Sequence, residues 1–443
     1  MWSKSSLARA PVIDVTIVCN VIAPMMSYTI ALLALFAAAL GDNVCTRAWP
    51  DVCPQAGGGP PGCVPWAPAP SSPTDWVALR ARLINELFGV TDGRLPSAGP
   101  DAIEFVGGDT SRGCWCATQG ACNASDCVWG ANLTRLTHTM SARVNASFTL
   151  TLNSTVFLTL NTSGVAPSTY SALTPSFPDF PEIPARNSET LVIFHQGHNS
   201  PCALPNGDYD FDGTVDFLNQ IGYDVANHHM PTYQVNGGAG NGYNVSCDHS
   251  WFEQFVVQGV PVMKFFLEPV VRTINYALGT AGYKRVVMAG LSGGGWSTVM
   301  LSAIDPRIEL AIPVAGSLPC DFQHTSWDFE QFCDSPWAMI ANYSSLYVLG
   351  SLEENRTHVQ ILHEKDACCF HGCGRHDRIR AYNEFVQGEA AGNFVTAVTT
   401  GNVHEVNYRD KTIIAGLLDQ LRIKGRLTPS DVQELPFNTL REW

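Results

Sequence analysis

The residues with the clearest chemical potential lie at 286–296, Val-Val-Met-Ala-Gly290-Leu-Ser292-Gly293-Gly294-Gly295-Trp296. Glycines two before and two after a serine, directly behind an apolar strand pattern, are the spacing of a sharp strand-to-helix turn. Such a turn holds the serine in a strained backbone conformation. Gly290 and Gly294 meet the need for small residues where strand and helix nearly touch. A serine hydroxyl is a weak nucleophile at its free pKa and needs a base. The base needs an orienting acid, and the developing oxyanion needs two N–H donors. The segment after the turn reads as an amphipathic helix, and its first N–H groups point at the site.

An acid and a base can be sought behind later strand patterns. Residues 359–362, Val-Gln-Ile-Leu, read as a short strand that leads into His363-Glu-Lys-Asp366. Asp366 falls just past the strand's C-terminal end, where sites in parallel sheets lie. Glu364 is a rival still in or beside the strand, and Asp321 and Asp328 follow the preceding strand as a second option. Residues 394–398 form another strand pattern and lead to His404, the only histidine after His376. His371 and His376 are too close to Asp366 in sequence to come from another strand.

With these residues in place, the chain resembles the α/β-hydrolase fold superfamily of serine hydrolases, specifically its esterase-like members. The likeness covers roughly residues 185–425 well and 74–185 only weakly. It implies an α/β fold with a mostly parallel central sheet flanked by helices. It also implies the chain order nucleophile, acid, histidine, which assigns Ser292, Asp366 and His404 as a catalytic triad. One oxyanion donor would be the Gly293 N–H. The other would come from the loop Phe194-His-Gln196-Gly-His198, which looks like the family's His-Gly-x turn with Gln196 in place of the usual histidine. The His198 N–H is the expected donor and Gln196 the alternative. The implied activity is hydrolysis of a small-molecule, glycan or lipid ester through an acyl-enzyme, with no cofactor. A serine peptidase and a non-catalytic binding ectodomain of the same fold are the competing readings.

The elements that must carry these residues are legible as a rhythm. From residue 190 strands alternate with helices: a strand at 191–194, a helix at 215–221, a strand from 223, helical stretches over 251–278 interrupted at Pro261 and Pro269, then strands at 285–289 and 310–314 around a helix at 294–303, and a final helix at 411–421. This is a βαβ series. Upstream, Trp76, Leu79, Leu83, Ile84 and Leu87 have helical spacing, with Thr74 or Asp75 as the expected N-cap. Residues 144–160 alternate apolar and polar as a strand with one wet face. If they form a hairpin, an odd turn at Asn153-Ser154-Thr155 keeps Leu152 facing Val156. The organisation expected is a targeting segment at 1–41, a Cys/Pro/Gly-rich lead-in at 42–73, an N-terminal part at 74–185 with a disulfide-rich stretch and antiparallel strands, and a catalytic core at 186–443.

Composition sets the compartment. The 443 residues carry 26 Lys+Arg against 40 Asp+Glu, a net charge of −14, which argues against a nucleic-acid partner. Residues 15–40 are almost wholly apolar, follow Lys4 and Arg9, and end in a small-x-small pattern at Ala39-Leu40-Gly41. They read as a signal peptide or as a signal anchor in a membrane. Eight Asn-x-Ser/Thr sequons, at Asn123, Asn132, Asn145, Asn153, Asn161, Asn244, Asn342 and Asn355, agree with a secreted or lumenal glycoprotein. Fifteen cysteines, fourteen of them beyond Cys19, imply disulfides in an oxidising compartment. Seven of these precede residue 130 and seven follow residue 200, so complete pairing needs a bridge between the two groups. The cluster Cys114, Cys116, Cys122 and Cys127, and the stretch from Cys368 through Cys373 to His376, read as disulfide sites and not as metal sites. Asp208-Tyr-Asp210-Phe-Asp212-Gly213 opens like a calcium loop but has Asn219 where the bidentate Glu belongs, and residues from 215 read as an ordinary helix. No metal is expected. Tyr233, Tyr243, Trp251, Trp296, Trp327 and Trp337 suit either a cleft or the core, and the core is the simpler assignment.

Overall fold

The computed structural model describes residues 72–106, 132–160, 187–198, 210–238, 243–319, 328–331, 335–372 and 376–433. These residues belong to one compact unit, Val52–Trp443. The targeting segment, nearly all of the lead-in, the cysteines at 114–127, Asn123 and Asn161 lie outside the described residues. Among the described residues no helix is long and apolar enough to cross a membrane.

Nine strands form one sheet in the order β1-β2-β3-β5-β4-β6-β7-β8-β9. They are β1 (Ala102–Phe105), β2 (Asn132–Arg143), β3 (Thr149–Leu160), β4 (Asn187–His195), β5 (Tyr223–His228), β6 (Arg285–Leu291), β7 (Ile308–Val314), β8 (Thr357–His363) and β9 (Asn393–Thr399). The six strands from β5 to β9 in that order pair in parallel, while β1, β2 and β3 are antiparallel. The helices are α1 (Pro73–Phe88), α2 (Thr214–Gln220), α3 (Glu253–Val256), α4 (Lys264–Tyr276), α5 (Gly293–Ile304), α6 (Tyr343–Gly350), α7 (His376–Glu389), α8 (Tyr408–Lys424) and α9 (Pro429–Gln433). This is the α/β-hydrolase fold, a mostly parallel sheet flanked by helices.

The strands of the parallel part are apolar because both faces are covered. β8 is buried at every position, and β6 at all but Arg285. The helix behind the serine departs from the amphipathic pattern expected for it. All twelve residues of α5 are buried, because it packs against β6, β7, α1, α4 and α6. A helix enclosed on all sides has no wet stripe to show.

Three local expectations are corrected. The cap of α1 is Ser72, with Pro73 at N1, and not Thr74 or Asp75; the Ser72 hydroxyl accepts from the Asp75 N–H. No turn falls at 153–155. Residues 149–160 run as one strand paired with β2, and Leu152 faces Met140. The turn lies at 144–148, where the Asn145 side chain accepts from the N–H groups of Ser147 and Phe148. Pro269 sits inside α4 and does not interrupt it.

Candidate active site

The ends of β6, β8 and β9 bring Ser292, Asp366 and His404 to the same edge of the parallel strands. Ser292 follows β6 with φ 57° and ψ −122°, a backbone conformation non-glycine residues rarely adopt. It is held by neighbours on both sides. Its N–H donates to Val314 O at 2.9 Å, and its own carbonyl accepts from the Trp296 N–H at 2.8 Å. The space around the turn is fully used. A Cβ on Gly294 would lie 1.9 Å from His195 O, and one on Gly290 would lie 2.4 Å from Gly294 O. The β4 loop is equally close, since a Cβ on Gly197 would lie 2.7 Å from Ser292 Cβ.

Asp366 is buried three residues past β8. His404 presents Nδ1 to both of its carboxylate oxygens, at 2.9 and 3.0 Å. The same carboxylate accepts from the N–H groups of Cys368 (2.7 Å) and Cys369 (3.1 Å). Those two adjacent cysteines are bonded to each other. Burial alone would raise the Asp366 carboxyl, but the histidines at 363 and 404 and the Cys368 N–H hold it well below the usual carboxylate range. Phe370 stacks on the His404 ring at 6.5 Å between centroids. Of the rivals for the acid, Asp328 faces His198 and the Glu364 N–H bonds Thr399 O, while Asp321 lies outside the described residues.

Behind Asp366 lies a second histidine that sequence reading passed over. His363, the last residue of β8, has Nε2 2.8 Å from Asp410 Oδ2 and Nδ1 3.6 Å from Asp366 Oδ2. Burial would depress the imidazole, but the two carboxylates raise it to about 9. Asp410 also accepts from Asn407 N–H in the capping box of α8 and from the Thr399 hydroxyl. The sequence signal was present as a capping box, Asn407 with Asp410 at N3, without a hint of its partner in β8.

The oxyanion expectations divide. Gly293 is the first residue of α5, where a backbone N–H has no acceptor within the helix. The Gln196 N–H is not available, because it donates to His228 O at 2.8 Å, and the Gln196 side chain donates to Asn227. That occupies the alternative donor, Gln196. The His198 ring lies against Gly293 and belongs to a cluster with His249, Asp328 and Glu330.

The Asp212 carboxylate is engaged on both oxygens, by Thr214 and by the Val406 N–H, and so ties the head of α2 to the loop of His404. Asp208 is outside the described residues. Trp296, Trp337 and Tyr233 are buried, Tyr243 and Trp251 are half-buried, and Trp327 is outside the described residues. Cys247 is disulfide-bonded. Of the sequons, Asn145, Asn153, Asn244 and Asn355 are exposed, whereas Asn342 is half-buried and caps α6 through the Ser345 N–H.

No family model and no curated protein matches the chain. Among solved structures, it is similar to a methylesterase at 13% identity and TM-score 0.47, over 81% of this chain and 67% of that one. It is similar to an acetyl xylan esterase from Paenibacillus sp. R4 at 9% identity and TM-score 0.44, over 82% and 98%. An acylaminoacyl peptidase is similar at 13% identity and TM-score 0.38, over 65% and 41%.

Proposed function

We propose that the protein is a serine hydrolase that cleaves carboxylic esters. The observation that carries this reading is the His404–Asp366 pair at the same strand edge as a positive-φ serine. In the proposed reaction, Ser292 Oγ attacks the ester carbonyl carbon as His404 takes its proton. Asp366 orients the imidazole and stabilises the imidazolium. The N–H groups of Gly293 and His198 bind the oxyanion. Collapse breaks the carbonyl–alkoxy bond, and His404 returns the proton to the leaving alcohol. Water, deprotonated by the same histidine, then releases the acid from Ser292. No cofactor takes part in these steps.

The proposed setting is the secretory pathway, with residues 15–40 as a cleaved signal or an anchor and the catalytic unit on the extracellular or lumenal side. The substrate class is tested by comparing short p-nitrophenyl acyl esters, acylated sugars and peptide amides on one preparation. Preferred turnover of an ester class supports the reading. Faster cleavage of peptide amides would replace it with a peptidase of the same fold.

A further inference from the structure

A second group of chemically active side chains lies beside the serine, and the proposed ester hydrolysis does not use its rings or carboxylates. His198, His249, Asp328 and Glu330 come from three separate segments, and their ligand atoms all lie within 4.8 Å of one another. Glu330 and His249 are buried, and His198 is nearly so, with 11% of its side chain exposed. His198 Nε2 is 3.1 Å from His249 Nδ1 and 3.1 Å from Glu330 Oε1, and His249 Nδ1 is 3.0 Å from Glu330 Oε2.

The tautomers make this convergence informative. His249 Nε2 lies 2.8 Å from Pro231 O. A carbonyl can only accept, so Nε2 carries the proton and a neutral His249 presents a lone pair at Nδ1. That lone pair faces a carboxylate oxygen and the ring nitrogen of His198. One proton on His198 Nε2 cannot serve both His249 and Glu330. Glu330 Oε1 and His198 Nδ1 are buried without a hydrogen-bond partner. With both rings neutral, the single N–H of His198 faces more acceptors than it can serve.

We propose that these residues form a Zn²⁺ site, with His198 Nε2, His249 Nδ1 and the Glu330 carboxylate as ligands. Ligands about 2.0–2.1 Å from a tetrahedral zinc lie about 3.3 Å apart, within a few tenths of the separations found. Two ring nitrogens with a carboxylate suit zinc and not calcium, which takes oxygen ligands. The outer partners fit the same role. Pro231 O fixes the His249 tautomer, and Asp328 Oδ2 faces His198 Nδ1 at 3.4 Å without a hydrogen bond between them. Buried donors brace the Glu330 segment, since Trp337 Nε1 bonds Glu330 O at 3.0 Å and the Tyr343 hydroxyl bonds Gln331 O. Tyr233 and Phe266 set their rings edge-on against His249.

The site would clip together three loops at the mouth of the serine. A Cβ on Gly293 would lie 2.3 Å from His198 Cε1, so the bound ring would press on the residue after the nucleophile. The test uses the full, oxidised chain, stripped with chelator, reloaded with Zn²⁺ and desalted. Wild type should retain one zinc per chain, and Co²⁺ in its place should give the visible absorption of a tetrahedral site. Zn²⁺ should raise the unfolding temperature of wild type but not of Glu330→Gln or His249→Asn. Failure of folded wild type to retain zinc would overturn the proposal and leave a proton-bridged ion-pair network. Equal retention by the two variants would also overturn it. Labelling of Ser292 by a fluorophosphonate is read separately, so loss of this proposal and loss of the hydrolase reading are distinguishable.

Discussion

His363 Nε2 lies 2.8 Å from Asp410 Oδ2, which joins the last residue of β8 to the first turn of the final long helix. His363 also stands 3.6 Å behind Asp366. The acid that orients His404 is thus itself held by a buried histidine with its own carboxylate. Asp410→Asn leaves that histidine with one partner. Loss of one member of a buried ion pair costs about 3–5 kcal/mol, so the variant should unfold at markedly lower denaturant. Urea unfolding measures this, and an unchanged midpoint would mean the pair is not formed.

The same pair sets a pH dependence. The His363 pKa is raised to about 9 from 6.5, so its contribution to stability is full below about 6.5 and lost as pH rises through about 9. The Asp366 pKa is lowered from 3.8, so its contribution is present above 3.8 and lost as pH falls through the lower folded value. Stability should therefore fall on the alkaline side in wild type and fall less in His363→Gln. Unfolding midpoints at about pH 6 and about pH 10 check this sign; equal midpoints in wild type would contradict it.

Two glycine substitutions should differ in sign. Gly294→Ala places a Cβ 1.9 Å from a backbone carbonyl oxygen and leaves no room for relaxation. It should cost more than about 4 kcal/mol or abolish soluble protein. Gly388, inside α7, has nothing within 4 Å of an added Cβ. Gly388→Ala should stabilise by about 0.5–1 kcal/mol. Thermal unfolding of both variants reads the contrast.

Glycan occupancy should follow exposure. Expression through the secretory pathway should place glycans at Asn145, Asn153, Asn244 and Asn355, which are exposed. Asn342 should stay bare, because it is half-buried and its side chain caps α6. Peptide mapping after enzymatic deglycosylation distinguishes them, and occupancy of Asn342 in folded protein would count against this.

Much of the architecture was legible because the parallel strands are uniformly apolar and the serine turn has a fixed spacing. The order of nucleophile, acid and histidine that the hydrolase resemblance implies then left few positions for Asp366 and His404. What the sequence hid is instructive. Burial in β3 alternates up to Thr155 and then covers both faces, because the strand continues between its neighbours where a turn was an option. The full burial of α5 follows from neighbours far along the chain. His198, His249, Asp328 and Glu330 have no common spacing, since three separate segments meet only in the fold. Nothing in the sequence marks His363, whose partner lies 47 residues on.

The central claim is that Ser292 is an activated nucleophile served by His404 and Asp366. A fluorophosphonate probe tests it most directly on the full-length glycosylated chain. The expected result is covalent labelling at Ser292, no labelling of Ser292→Ala, and labelling slowed by at least about a thousandfold in His404→Asn. Folded wild-type protein that takes up no probe, or that is labelled equally after Ser292→Ala, would contradict it and leave a binding ectodomain of hydrolase fold as the reading.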